Sequence, residues 1–182
     1  MEKGKIIFLN GVSSSGKTTL AKTLQAKLDE PYHWISVDTF LHMIPEKYLN
    51  FEHIPIWLKA ISGMRQAIKA FSDIGINTII DDVLETKDVM EECVEVLHEY
   101  PVLFVHVTCP LEELRRREKE RGDRGIGQAE AQLPRLNPQD NTYDITVDTH
   151  ANSSEECADK IIEILNYPEK FTAFKTIWSR LR

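Results

Sequence analysis

Short apolar runs alternate along this chain with longer stretches in which apolar positions return every third or fourth residue. Ile6-Ile7-Phe8-Leu9, ended by Asn10-Gly11, is β-branched and aromatic and predicts a buried strand. Residues 17–29 then carry Leu20, Ala21, Leu24 and Leu28 at helical spacing. His33-Trp34-Ile35-Ser36-Val37 predicts a second strand ending at Asp38, and residues 57–74 return to a helical pattern stopped at Gly75. Asn77-Thr78-Ile79-Ile80 predicts a third strand that ends in Asp81-Asp82, followed by a helix over 86–98. Val102 to Val107 predicts a fourth strand, with a charged helix from Leu111 to about Arg121 behind it. Tyr143 to Val147 predicts a fifth, and Ser153 caps a last core helix through about Leu165, with Ser154 and the acid Glu155 following the cap as suits a helix start.

Strands separated by helices imply crossover connections, hence a parallel sheet covered on both faces. Strands that are apolar on both sides fit that burial. The expected fold class is an open three-layer α/β domain. In such sheets ligands bind beyond the carboxyl ends of the strands, so the residues at those ends direct the search for chemistry.

After the first strand, Gly11-Val12-Ser13-Ser14-Ser15-Gly16-Lys17-Thr18 fits G-x-x-x-x-G-K-[ST] without a mismatch, with a strand before it and a helix beginning at its lysine. Small residues let backbone N–H groups turn inward around a phosphate, and the helix directs its dipole at the same anion. Residues 11–19, from Gly11 to Thr19, are therefore the expected nucleotide cradle. Lys17 would reach the β- and γ-phosphates of ATP, and Thr18 would ligate Mg²⁺. At the third strand end, one acid of Asp81-Asp82 would serve the metal. Neighbours on a strand point opposite ways, and Asp81 is preferred.

Asp38, after the second strand, has two readings. It is either the base that accepts the acceptor hydroxyl's proton or the N-cap of a helix starting near Thr39. Arg115, Arg116, Arg117, Arg121 and Arg124 crowd one segment with Glu112, Glu113 and Glu118. In Arg121-Gly122-Asp123-Arg124-Gly125 the glycines break the helix, so Arg121 and Arg124 read as lid residues that neutralise charge during phosphoryl transfer. A solvated charged face is the plainer alternative for the earlier arginines.

Composition changes this picture only at its edges. A chain of 182 residues and 21.0 kDa fits one domain, here 1–182 with a lid at about 115–130 and an appended helix at about 169–182. A net charge of −7 argues against a nucleic-acid coat, though not against a local anion pocket. Cys93, Cys109 and Cys157 form no Cys-x-x-Cys pair, and the histidines form no zinc motif. The first apolar run is too short for a signal core or membrane span, which points to a soluble, reduced, cytoplasmic domain. Phe171, Phe174, Ile177, Trp178 and Leu181 give the last segment an amphipathic helix. Packing back onto the domain is its first reading, a subunit contact in a homo-oligomer the second, and membrane-surface attachment the third.

Together these stretches resemble the chloramphenicol phosphotransferase-like group of small P-loop kinases. The resemblance rests on Leu9-Asn10-Gly11 with Ser13-Ser14 and Gly16-Lys17, on Val37-Asp38, on Ile79-Ile80-Asp81-Asp82-Val83, on Arg121-Gly122-Asp123-Arg124, and on Tyr143-Asp144 with Val147-Asp148-Thr149. It implies a five-stranded sheet in the order 2-3-1-4-5 and transfer of the ATP γ-phosphate to a hydroxyl of a small molecule. It also puts Asp38 at the acceptor-activating position, Arg121 and Arg124 in the lid, and the Asp148-Thr149-His150 turn near adenine. The chain departs from the antibiotic kinase between Met43 and Met64, where Tyr48, Phe51 and Trp57 either line an aromatic acceptor site or close the core. A nucleoside, nucleotide or sugar-acid kinase and a non-kinase nucleotide switch are the rival functions.

Overall fold

Five strands pair in parallel in the order β2-β3-β1-β4-β5: β1 (Ile6–Asn10), β2 (Tyr32–Ser36), β3 (Asn77–Asp82), β4 (Val102–Thr108) and β5 (Ile145–Asp148). The structure, a computed structural model, describes residues 2–122, 126–136 and 142–182, with the side chain of Phe51 left aside. The central strand β1 is flanked by β3 and β4, with Asn10 opposite Asp82 and His106. All five of its residues are buried.

Alternation along β1 divides the core into two faces. Ile6 and Phe8 meet Met64 and Ile68 of α3 (Ile54–Asp73), Val94 and Leu97 of α4 (Lys87–Leu97), and Phe174 and Ile177 of the C-terminal helix (Ala173–Leu181). On the opposite face Ile7 and Leu9 meet Leu20 and Leu24 of α1 (Lys17–Lys27), and Ile161 of the Ser154–Leu165 helix. The three-layer fold and the 2-3-1-4-5 order both stand as expected.

Element ends differ where local chemistry outweighs periodicity. β2 stops at Ser36, because the Ser36 hydroxyl accepts the Thr39 amide at 3.2 Å and starts the short helix α2 (Val37–Leu41). α3 begins at Ile54, before the apolar pattern does, with a proline in its first turn where no N–H is needed. Two 3₁₀ turns, Glu46–Tyr48 and Phe51–His53, occupy the segment between α2 and α3. A charged helix α5 (Leu111–Arg121) ends at Gly122, whose φ of 68° is left-handed, and a five-residue helix α6 (Gln128–Gln132) follows. In chain order, α7 (Ser154–Leu165) starts with a full capping box between Ser153 and Glu156, and α8 (Ala173–Leu181) is the last helix.

α8 packs back on the domain: Phe174 lies 5.8 Å from Phe8 and 4.9 Å from Phe104, measured between ring centroids. Its start is pinned by Asp144, whose carboxylate accepts the amides of Thr172 and Ala173 while also accepting that of Phe104. That duty keeps Asp144 out of β5, which starts at Ile145 rather than Tyr143. Among the described residues no helix is long and apolar enough to cross a membrane.

Candidate active site

The loop between β1 and α1 folds as a phosphate cradle because two of its residues take left-handed backbone, Ser14 at φ 61° and Gly16 at φ 94°. Gly11 is required by space rather than by torsion. A Cβ there would stand 2.4 Å from the Val107 carbonyl oxygen and 2.8 Å from Ser15 Oγ. Gly11, Val12 and Ser15 form the buried back of the loop, and Ser13, Ser14, Gly16, Lys17, Thr18 and Thr19 line a cleft of about 690 Å³. The buried hydroxyls of Ser13, Ser14 and Ser15 have no hydrogen-bond partner. Unpaired donors around a turned-in backbone at a helix N-terminus suit the oxygens of a di- or triphosphate.

Lys17 is buried and donates to the carbonyls of Gly11 and Val12 at 2.8 and 2.9 Å, with Asp81 at 3.9 Å. The Thr18 hydroxyl donates to Asp81 Oδ2 at 2.7 Å. That contact separates the adjacent acids: Asp81 faces the cradle, and Asp82 faces away with its Oδ1 accepting the Val83 amide. Burial pushes the Asp82 carboxyl above the ordinary carboxylate range. A hydroxyl and a carboxylate in direct contact beside a phosphate cradle are hard oxygen donors, the set Mg²⁺ takes together with phosphate oxygens and water. Thr18 and Asp81 fit that ion.

Asp38 sits in the first turn of α2, half-buried, and lines the same cleft with Trp34 and His42. The cap of α2 is Ser36, so the capping alternative for Asp38 is replaced. On the other rim stand Arg117, Arg121, Gln132 and Thr149. Arg121 is exposed at the end of α5, while Arg124 falls outside the described residues. Arg117 is the arginine tied to the cradle, donating to the Thr149 hydroxyl and carbonyl at 3.0 Å each and to Glu113 at 2.8 Å. Thr149 in turn donates to the Ser15 carbonyl at 2.7 Å. Arg115 and Arg116 instead pair with Glu130, Glu113 and Glu120 in solvent, the plain reading of a charged face.

Gln132 was not singled out by motif. Its side-chain carbonyl accepts the buried Ser13 amide at 2.7 Å, which joins α6 directly to the cradle. A glutamine in a polar stretch gives no sequence signal for such a contact, since its partner lies 119 residues away. Tyr48 and Trp57 do not line the cleft. The Trp57 indole donates to the Tyr48 carbonyl at 2.8 Å, so the pair pins the 46–57 segment to itself. Among the described residues no cluster of three or more His, Cys, Asp or Glu is arranged to hold a metal ion.

The model of the family described as chloramphenicol phosphotransferase-like protein matches residues 4–166. A Mycobacterium tuberculosis protein named "Putative O-phosphotransferase" is 31% identical over 96% of this chain and 89% of its own. Two solved structures share the fold: a sugar kinase from Janibacter sp. HTCC2649, with a TM-score of 0.70 and 21% identity over 92% of this chain and 98% of that one, and the Mycobacterium tuberculosis APS kinase CysC in complex with AMPPNP and APS, with 0.71 and 16% over 91% and 99%. With the family model spanning both the cradle and the rim residues, the chain belongs to the chloramphenicol phosphotransferase-like family.

Proposed function

We propose that this chain, a small-molecule phosphotransferase by family, moves the γ-phosphate of ATP to a hydroxyl group of its acceptor. The observation that carries the reading is the Thr18–Asp81 contact beside Lys17, in a cleft whose wall also holds Asp38. Bound Mg²⁺ would neutralise phosphate charge there, held by Thr18 and Asp81. Lys17 would leave the carbonyls of Gly11 and Val12 for the β- and γ-phosphates, as the backbone amides of the cradle position them. Asp38 would orient the acceptor hydroxyl and take its proton as the oxygen attacks phosphorus. Arg121, with Arg124 of the lid at about 115–130, would compensate the charge that builds on the transferring group.

Three free, buried cysteines support a reducing compartment such as the cytoplasm. Screening ATP consumption over hydroxylated antibiotics and metabolites, with Lys17→Ala as the blank, identifies the acceptor. On that acceptor Asp38→Asn is expected to lower kcat by about 10²–10⁴-fold while leaving ATP binding unchanged. Full turnover by the variant would remove Asp38 as the base. Tight ATP binding with no phosphorylated product across the panel would favour a nucleotide-binding switch instead.

A further inference from the structure

The carboxamide of Gln132 has two ends, and the empty cradle uses only one of them. Its carbonyl accepts the Ser13 amide at 2.7 Å. A backbone N–H needs an acceptor, so the oxygen is the end turned to the loop and the NH2 end, with its two donors, is turned away. Among the described residues that Nε2 has no hydrogen-bond partner, and it is not sealed from solvent. Gln132 lines the phosphate cleft together with Ser13, Ser14, Lys17 and Thr18.

The position of the side chain is fixed from two directions. Glu118 of α5, 1% exposed, accepts the amides of Gly127 and Ala129 at 2.9 and 2.7 Å, which ties the start of α6 to α5. Ala129 and Leu136 are buried against Val12 and Leu114, so α6 packs on the cradle itself. A side chain anchored at its carbonyl and carried on a packed helix has little rotamer freedom left to lose when its other end meets a ligand. The Ser13 amide, taken up by Gln132, no longer donates to a phosphate. The carboxamide replaces that donor with one that stands farther out in the cleft. Lys17 Nζ rests on the carbonyls of Gly11 and Val12, the two residues before Ser13, so the free donor and the ammonium share one end of the loop.

We infer that Gln132 is a phosphate-binding residue, whose Nε2 donates to an oxygen of the γ-phosphate while its Oε1 stays on the Ser13 amide. The inference rests on the phosphotransferase reading, which brings the terminal phosphates to Lys17. It adds that the chain tells a nucleoside triphosphate from a diphosphate through this contact. A diphosphate leaves the Nε2 donor unmet, and a triphosphate fills it with a charged acceptor.

Calorimetry of the whole chain with ATP and with ADP, both with Mg²⁺, tests this on two variants. Gln132→Glu keeps an acceptor for the Ser13 amide but puts a carboxylate oxygen where the donor was. It is expected to weaken ATP by about tenfold or more and ADP by less than about twofold. Gln132→Ala removes the donor without adding charge and is expected to weaken ATP about three- to tenfold more than ADP; it decides the matter alone if Gln132→Glu does not fold. Both nucleotides use the same loop, so a purely structural role for Gln132 would weaken them together. Equal losses for ATP and ADP, no loss in either variant, or a split in Gln132→Glu alone overturns the inference and leaves the kinase reading untouched. Absence of ATP binding by the unaltered chain overturns both. The expected split together with absent phosphoryl transfer to any acceptor keeps the role of Gln132 and sinks the kinase reading.

Discussion

The glycines of the phosphate loop show how much a single missing methyl group decides. At Gly11 the obstacle is backbone, since a Cβ would overlap the Val107 carbonyl, which β4 holds in place. Gly11→Ala therefore has to displace the loop itself. We expect a loss of about 1–3 kcal/mol in stability, the usual scale of overpacking, accompanied by loss of ATP binding. Gly122 is the contrast: its φ of 68° is left-handed, but nothing lies within 4 Å of the added carbon. Gly122→Ala should cost about 1–2 kcal/mol of local strain and leave ATP affinity intact. Chemical denaturation and ATP titration of the two variants separate the cases, and equal ATP affinity in both would refute the steric account. Cradle residues were legible in sequence for the same reason, because close backbone approach admits so few residue types. Gln132 was not, because what matters there is a carbonyl delivered from a distant helix.

Elements were legible in proportion to their length and to how far burial enforces a period. The long helices α3 and α7 and the five strands stand close to their predicted spans, whereas α6 and the two 3₁₀ turns are too short to show a period. Boundaries moved where one side chain competes with the ladder, as Ser36 does at α2 and Asp144 does before β5. The C-terminal helix is the informative case. Its pattern announced an apolar face, but only packing says that the face closes the α3–α4 side of the sheet. Phe174, 2% exposed among Phe8, Phe104 and Ile177, is thus part of the core and not an appendage. Phe174→Ala is expected to cost about 3–5 kcal/mol, read as a shifted denaturant midpoint, with ATP affinity unchanged because α8 does not line the cleft. A change below 1 kcal/mol would mean that α8 is only loosely docked.

At the scale of the whole molecule, the proposed function asks a chain of net charge −7 to bind a strongly anionic nucleotide. Three basic side chains, Lys17, Arg117 and Arg121, line the cleft, together with the acids Asp38 and Asp81. Local field, not total charge, governs association at a concave site. The cradle nevertheless places Asp81 beside Lys17, so a bare triphosphate meets a carboxylate as well as an ammonium. A divalent ion between Asp81 and the phosphates reverses that repulsion, and nucleotide binding and Mg²⁺ should therefore be coupled. Ligand at one hundred times its Kd stabilises the native state by about 2.7 kcal/mol. For a chain of this size that corresponds to about 5–10 °C in Tm. Thermal unfolding with ATP and Mg²⁺ should show this rise, and excess chelator should remove most of it. Asp81→Asn should bind ATP with little dependence on Mg²⁺, since the repulsion and the metal's partner disappear together. An equal rise with and without Mg²⁺ in the unaltered chain would show that Thr18 and Asp81 do not serve a metal, and the role assigned to their contact would fall.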